Sequence, residues 1–512
     1  MVDLEWKAAK SVTADMSGTA SPKLSTAAAA TTAKSSPETQ PSSNSSHDPV
    51  RVTDHDLSPA SSSSCEAYDH YFRIPELAKL WSSRDFPNWH NEPIIKPALQ
   101  ALEITFRFVS LVLSDPRPYA NQREWTRRLE SLATSQVEIV ALLCEDGEDD
   151  PATRGTAPVV DLSTETGVLG RDGSSAEVWK MDDGRGLAHR AVSRTSEGSL
   201  LPRLATWHKS EAVASRMMFA IERAMRRCPY TLGLGEPNLE GKPNLEYDLV
   251  CKPSDLHSLK RTSADLRRLC NNNYEDHALF TTHQILESWI FASRELLKRI
   301  SNRIDRREFD KASSDCWLLD RTWKLLAEIF DLNLLMDPDD FLRLKNQVSI
   351  KAVTESESFC FRSLGLIELT KSSMDLKHRV PAILSVEVDP RGGPRIQEAA
   401  MKLYRGHRIE DKDKVHLLQA MQAIEASLKR FYFSYRQSVG IAMGSLEANG
   451  NRPVMISGDS SQSISRIFSE PTYFPSLDAA KTFLGDFWQC ELRGGSNANG
   501  AEDCRGRMKV VN

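Results

Sequence analysis

The sequence predicts an all-α protein built as a multi-helix body, and three observations carry that expectation. Leu279, Leu286, Ile290, Leu297, Ile300 and Ile304 recur at helical spacing, with His283 on the same stripe. Cys316, Leu319, Trp323, Leu326 and Phe330 repeat the pattern just downstream, so two long helices should pack together. The only strand-like run is 383–388.

The elements follow in chain order. Residues 11–64 are mostly Ser, Thr, Ala and Pro, a composition that buries too little apolar surface to offset ordering, so 1–65 reads as a disordered tail. Order is expected from the aromatic cluster Tyr68, Tyr71 and Phe72. Leu99, Leu102, Phe106 and Val109 mark a core helix over 93–113, stopped by Asp115-Pro116. A second helix covers 124–143. The acidic run of Glu145, Asp146, Glu148, Asp149 and Asp150 then opens a Gly/Ser/Thr-rich stretch, read as a mobile insertion over about 145–198. Helix returns over 207–227. Two similar turns follow at Pro237-Asn238-Leu239-Glu240 and Pro243-Asn244-Leu245-Glu246. Asp337-Pro338-Asp339-Asp340 has the form of a helix start, with the helix running on from Phe341. A last long helix over 411–443 lines up Leu418, Met421, Leu428, Phe431 and Tyr435, and 491–512 reads as a flexible tail.

Charge and composition exclude several classes. With 65 Lys+Arg against 70 Asp+Glu, the net charge of −5 offers no general attraction to nucleic acid. No apolar run approaches the roughly 20 residues that span a bilayer. The N-terminus lacks the apolar segment of a secretory signal. Asp3, Glu5 and Asp15 speak against a plastid transit peptide, so a cytoplasmic location is expected, with plastid and nucleus left open. Nine scattered cysteines contain no Cys-x-x-Cys pair, which fits reduced thiols and gives no zinc, iron–sulfur or other cofactor site.

Catalytic motifs are equally sparse. Ser457-Gly458-Asp459-Ser460-Ser461 lacks the spacing of a nucleophile elbow. Gly233 and Gly235 lead into Glu236-Pro237 and not into a helix, which removes a phosphate loop. No catalytic residue is assigned, and the chain is expected not to be an enzyme.

One helix carries a more specific pattern. Glu275-Asp276-His277, followed by His283-Gln284, Glu287 and Trp289, resembles the haem-lining helix of the tryptophan and indoleamine 2,3-dioxygenases. The resemblance implies a dioxygenase-like helical bundle for the C-terminal half, with His283 and Glu287 in a pocket. Phe361-Arg362 is similar to the aromatic-Arg step that grips a substrate carboxylate there, as a bidentate guanidinium would. The iron-ligand position holds Arg436, which has no lone pair to give a metal, so the bundle should lack haem. His283, Glu287, Phe361, Arg362 and Arg436 are therefore the candidate degenerate pocket, with an indole or amino acid as the ligand of the alternative reading. A histidine on an apolar stripe is, by itself, more often a hydrogen-bonded core residue.

A longer resemblance spans most of the chain. Leu80-Trp81-Ser82-Ser83-Arg84-Asp85-Phe86-Pro87-Asn88-Trp89, the run from Cys228 to Leu239, the run from Leu335 to Asn346 and that from Gly393 to Ala400 resemble the plant nematode-resistance HSPRO family. That resemblance implies an N-terminal family domain over 66–247 and a C-terminal one over 248–490. It further implies a regulator of basal resistance and stress responses that binds the regulatory, beta-gamma type subunit of the plant energy-sensing kinase related to AMP-activated kinase.

Overall fold

Wherever the apolar period is long, the chain is helical, and the polar side chains decide where each helix stops. The computed structural model describes residues 66, 68–115, 119–145, 155–161, 175–181, 188–260, 276–337, 363–387, 395–405, 409–443, 467 and 470–494. The proposed tail over 1–65, the helix from Phe341, and Phe361 and Arg362 lie outside these residues, as do 495–512. Within 491–512, residues 491–494 belong to a helix.

Helix α1 (Ile74–Ser82) begins on Pro75 and buries Leu77 and Trp81. Helix α2 (Glu92–Ser114) and helix α3 (Gln122–Glu145) extend slightly beyond the predicted 93–113 and 124–143. Helix α2 is long and apolar enough, with a mean hydropathy of 1.2 over its best window, to pass a membrane-span test; 78% of that window is buried inside the protein. The sequence reading had found no such run, because Glu92, Lys96, Gln100, Glu103 and Arg107 interrupt it.

The stretch read as a mobile insertion contains ordered pairing. Strand β1 (Val159–Val160) lies antiparallel to a later strand, and β2 (Ser175–Met181) pairs antiparallel with β3 (Ala188–Arg194), with Ser175 opposite Arg194 and Met181 opposite Ala188. Asp183-Gly184 between them is a hairpin signal that the compositional reading passed over.

The helix expected over 207–227 begins late, at Glu211, ends as a 3-10 turn over Met225–Arg227, and is preceded by a separate helix. Helix α4 (Leu200–Thr206) ends where Trp207 turns extended, and α5 (Glu211–Ala224) starts afresh. Ser210 Oγ donates to the Leu204 carbonyl at 2.6 Å, satisfying the end of α4 in place of a continued helix. A strand β4 (Asn244–Leu245) receives β1, and the short helices α6 (Tyr247–Cys251) and α7 (Pro253–Ser258) follow.

The second half is dominated by α8 (Asp276–Asp305) and α9 (Phe309–Asp331), as the periodicity predicts. Helix α10 (Leu364–Asp375) is capped by Ser363, whose hydroxyl accepts from Leu366 N at 3.0 Å. The predicted strand over 383–388 is instead helix α11 (Val380–Leu384): Pro381 presets its first turn and Ser385, at φ 56°, ends it. Residue 388 lies outside the described residues. Helices α12 (Arg395–Arg405), α13 (Ile409–Met443) and α14 (Pro475–Gly494) complete the body.

Packing ties both halves into one core. Helix α8 lies between α2 and α9, α9 packs along α13, and α3 covers the other flank of α2. Trp289 shows the interlock: buried on α8, it donates from Nε1 to Gln136 Oε1 of α3 at 2.9 Å. The two segments matched to family domains by sequence thus share one hydrophobic interior. Cys144, Cys228, Cys251 and Cys316 are buried free thiols within it. Burial pushes the Cys251 and Cys316 thiols up, which suppresses thiolate reactivity.

Candidate functional site

The site predicted around His283 is built where the first described residues of the chain meet the start of α8. Helical spacing puts His283 and Glu287 one turn apart on the same face, and both are buried. Tyr68 and Phe72, themselves one turn apart, close over that face. The Tyr68 hydroxyl lies 2.8 Å from His283 Nδ1 and donates to Glu287 Oε1 at 3.0 Å. Phe72 stacks on the imidazole, with ring centroids 4.6 Å apart and planes inclined by 18°.

A single hydroxyl proton serves both contacts only with a defined arrangement. With Glu287 accepting the Tyr68 proton, the imidazole proton sits on Nδ1 and points at the tyrosine oxygen; with Glu287 protonated and donating, the tyrosine proton turns to Nδ1 instead. Burial pushes His283 down to about 3, so the ring is neutral across the physiological range. Burial also drives Glu287 up to about 8, against hydrogen bonds from Ser363 and Tyr68 that favour its charge. The result is a neutral, hydrogen-bonded cluster of a kind that fixes packing.

Arg436, the other predicted residue among the described ones, does not join it. It sits on the exposed side of α13, while its neighbour Tyr435 turns inward and stacks on Phe330 at 4.1 Å. Burial pushes the Tyr68 hydroxyl up, with Glu287 and then Tyr435 adding to the shift. Phe361 and Arg362 lie outside the described residues, one step before Ser363. The structure therefore brings together His283 and Glu287 and adds Tyr68, Phe72 and Ser363, which the sequence reading had not placed there. The aromatic cluster at Tyr68–Phe72 was visible in the sequence, but only as the onset of order.

Close approach of α10 completes the wall. A Cβ on Gly365 would sit 3.2 Å from Ile290 Cγ2 and 3.4 Å from Glu287 Oε2, so a glycine lets α10 lie against α8. Thr370 then meets the Tyr432 hydroxyl at 2.6 Å, linking α10 to α13.

Two of the motif strings that resembled a family, those around Asp85 and Glu236, are structural hubs. In the first, Asp85 pairs with both Lys96 and Lys252, which holds its carboxyl down at about 2, while Glu92 accepts from the Asp85 and Phe86 amides at 2.8 and 3.1 Å. In the second, buried Glu236 receives the Thr231 hydroxyl and the amides of Gly233 and Leu234. Gly233 and Gly235 have φ of 73° and 89°, which wraps the backbone around that carboxylate.

Comparison with known proteins adds the remaining evidence. A family profile described as Hs1pro-1 N-terminus matches residues 1–222, and one described as Hs1pro-1 protein C-terminus matches residues 225–490. The chain is similar to two proteins of Arabidopsis thaliana. With Nematode resistance protein-like HSPRO2 it is 50% identical over 492 residues, covering 95% of this chain and 99% of that protein. With Nematode resistance protein-like HSPRO1 it is 50% identical over 439 residues, covering 84% and 92%. No solved structure matches the chain, so the comparisons lend nothing to the dioxygenase-like bundle expected of the C-terminal half.

Proposed function

The chain belongs to the Hs1pro-1 family, and from that premise we propose that it acts in plant resistance to nematodes and in wider defence as a non-enzymatic regulator. The relatives' names support the defence role. The mode of action proposed is protein–protein contact with the regulatory, beta-gamma type subunit of the plant energy-sensing kinase, as the family resemblance implies, in the cytoplasm.

The observation that favours a binding role over chemistry at the predicted pocket is the packing of His283. Tyr68 and Phe72 occupy the face of the imidazole that a haem or indole would need, and Arg436 lies on the far, exposed side of α13. Residues that fill a pocket with the protein's own side chains serve cohesion. An indole or amino-acid ligand at this spot would have to displace Phe72, which is fully buried.

Calorimetric titration of the purified chain with the kinase regulatory subunit tests the mechanism. Saturable binding with a Kd below about 50 μM supports it; no binding at that level removes the kinase as partner. Nematode counts on plants lacking the protein test the defence role separately.

A further inference from the structure

Helix α2 carries five polar residues, Glu92, Lys96, Gln100, Glu103 and Arg107, on a stripe buried inside the protein. The first four meet complementary partners. Lys96 donates to the Ser83 carbonyl at 2.8 Å and pairs with Asp85, and Gln100 donates to the Cys251 carbonyl at 2.9 Å. Glu103 accepts from the Ser199 hydroxyl, the Leu200 amide, the Tyr247 hydroxyl and His257 Nε2, all between 2.7 and 3.1 Å.

Arg107 departs from this pattern. Its guanidinium is 6% exposed and donates to Gln284 Oε1 at 2.7 Å and, weakly, to the Leu256 carbonyl at 3.5 Å. Both acceptors are neutral, and no carboxylate forms an ion pair with it among the described residues. A guanidinium has five N–H donors, and these contacts use few of them. Burial lowers Arg107 to about 10, so it remains charged at neutral pH despite the cost.

Arg107 also lines a cleft of about 310 Å³ that runs between α2, α4, α7 and the start of α8. Arg203, His257, Lys260 and His277 share its wall, and among the described residues no carboxylate does. Behind His257 stands Glu103, already engaged by four donors. Among the described residues, three permanent cations against that one buried carboxylate leave a surplus of two positive charges. Leu111, Leu200 and Phe280 supply an apolar side.

We propose that this cleft binds the phosphate monoester of a small organic molecule, with the phosphoryl group held by Arg107, Arg203 and Lys260 and the organic body against Leu111, Leu200 and Phe280. A phosphate monoester carries about −1.5 to −2 at neutral pH, which matches the surplus, whereas a carboxylate brings only one charge. Guanidinium groups grip such oxygens in pairs. The volume lies at the small end of ligand pockets, about 300–1,000 Å³, which suits a compact ester. This binding goes beyond the kinase contact proposed above.

Calorimetry on the full chain at pH 7, with phenyl phosphate as the probe and benzoate and inorganic phosphate as comparators, tests the assignment. The expected result is saturable one-to-one binding of phenyl phosphate, with benzoate and inorganic phosphate each weaker by about tenfold or more. Arg203 and Lys260 are exposed, so the double variant R203A/K260A should fold and should weaken phenyl phosphate by about tenfold or more. Arg107→Gln should abolish binding; if that variant melts early, the double variant decides. Absence of saturable binding up to about 10 mM overturns the proposal. So does a double variant that binds like the wild type, or benzoate binding as tightly as phenyl phosphate. Inorganic phosphate binding equally well would overturn the organic body, and a phosphotyrosine peptide binding about tenfold tighter than phenyl phosphate would replace the small molecule with a peptide.

Discussion

The Tyr68 hydroxyl and His283 Nδ1 lie 2.8 Å apart although 215 residues separate them in the chain. That contact fastens the first described residues onto α8 and turns a predicted ligand pocket into packed interior. Its consequences, and those of the other buried polar groups, can be measured.

Tyr68→Phe keeps the ring and removes the one group that satisfies both His283 and Glu287. The expected loss is about 1–3 kcal/mol, the cost of leaving buried polar atoms without their partner. Phe72→Ala, which deletes a fully buried ring, should cost more, about 3–5 kcal/mol. Urea unfolding, with the midpoint shifting at constant slope, reads both. A Tyr68→Phe variant as stable as the wild type would show that the hydroxyl contributes nothing.

The pH dependence of stability should carry opposite signatures of Glu287 and His283. Glu287 titrates at about 8 folded against an ordinary 4.5, so the folded state holds the extra proton between those values and stability falls as pH rises through that window. His283, at about 3 against 6.5, binds fewer protons when folded, so its contribution is lost as pH falls from 6.5 toward 3. Asp69, raised to about 6 from 3.8 by burial, adds a slope of the same sign as Glu287. Comparison of wild type with Glu287→Gln isolates one group: their difference should change by about 3–5 kcal/mol between pH 4.5 and 8, at the wild type's expense as pH rises. Parallel curves would mean that Glu287 titrates normally.

Haemin titration checks whether the face of His283 is closed. Wild type and His283→Ala should give superimposable absorbance changes, because His283 is buried among the protein's own side chains, with Tyr68 at Nδ1 and Phe72 on the ring face. A one-equivalent Soret shift present in the wild type and lost in the variant would contradict this packing.

Glu103 organises four donors from three separate segments. Glu103→Ala should be strongly destabilising, about 3–5 kcal/mol, and Glu103→Gln less so, about 1–3 kcal/mol, because its amide turns a donor toward donors. Thermal melting should rank them in that order.

Gly365→Val tests the approach of α10 to α8. A Cβ already meets Ile290 Cγ2 at 3.2 Å, so the larger side chain should cost about 1–3 kcal/mol by overpacking. Loss of hydrogen-exchange protection in α10 at unchanged protection of α9 would locate the damage; uniform loss would point to a global effect.

The helices were legible in the sequence because their signal is local: an apolar residue every three or four positions needs a buried face wherever it ends up. That reading located α2, α3, α8, α9 and α13 to within a few residues, and it placed His283 on the inner face of α8. It stumbled where a local polar contact or a backbone preference outweighed the apolar pattern, as at Ser210 between α4 and α5 and at Pro381 and Ser385 in α11. It did not single out the polar stripe on α2. Nothing in a helical repeat tells whether Glu103 faces water or four donors, or that Arg107 meets Gln284 from 177 positions away. For the same reason the sequence could set His283 and Glu287 side by side, while only the fold decided that Tyr68 and Phe72 would cover them. A polar group on an apolar face requires a partner, and whether that partner is a ligand or a distant part of the same chain is fixed by tertiary packing.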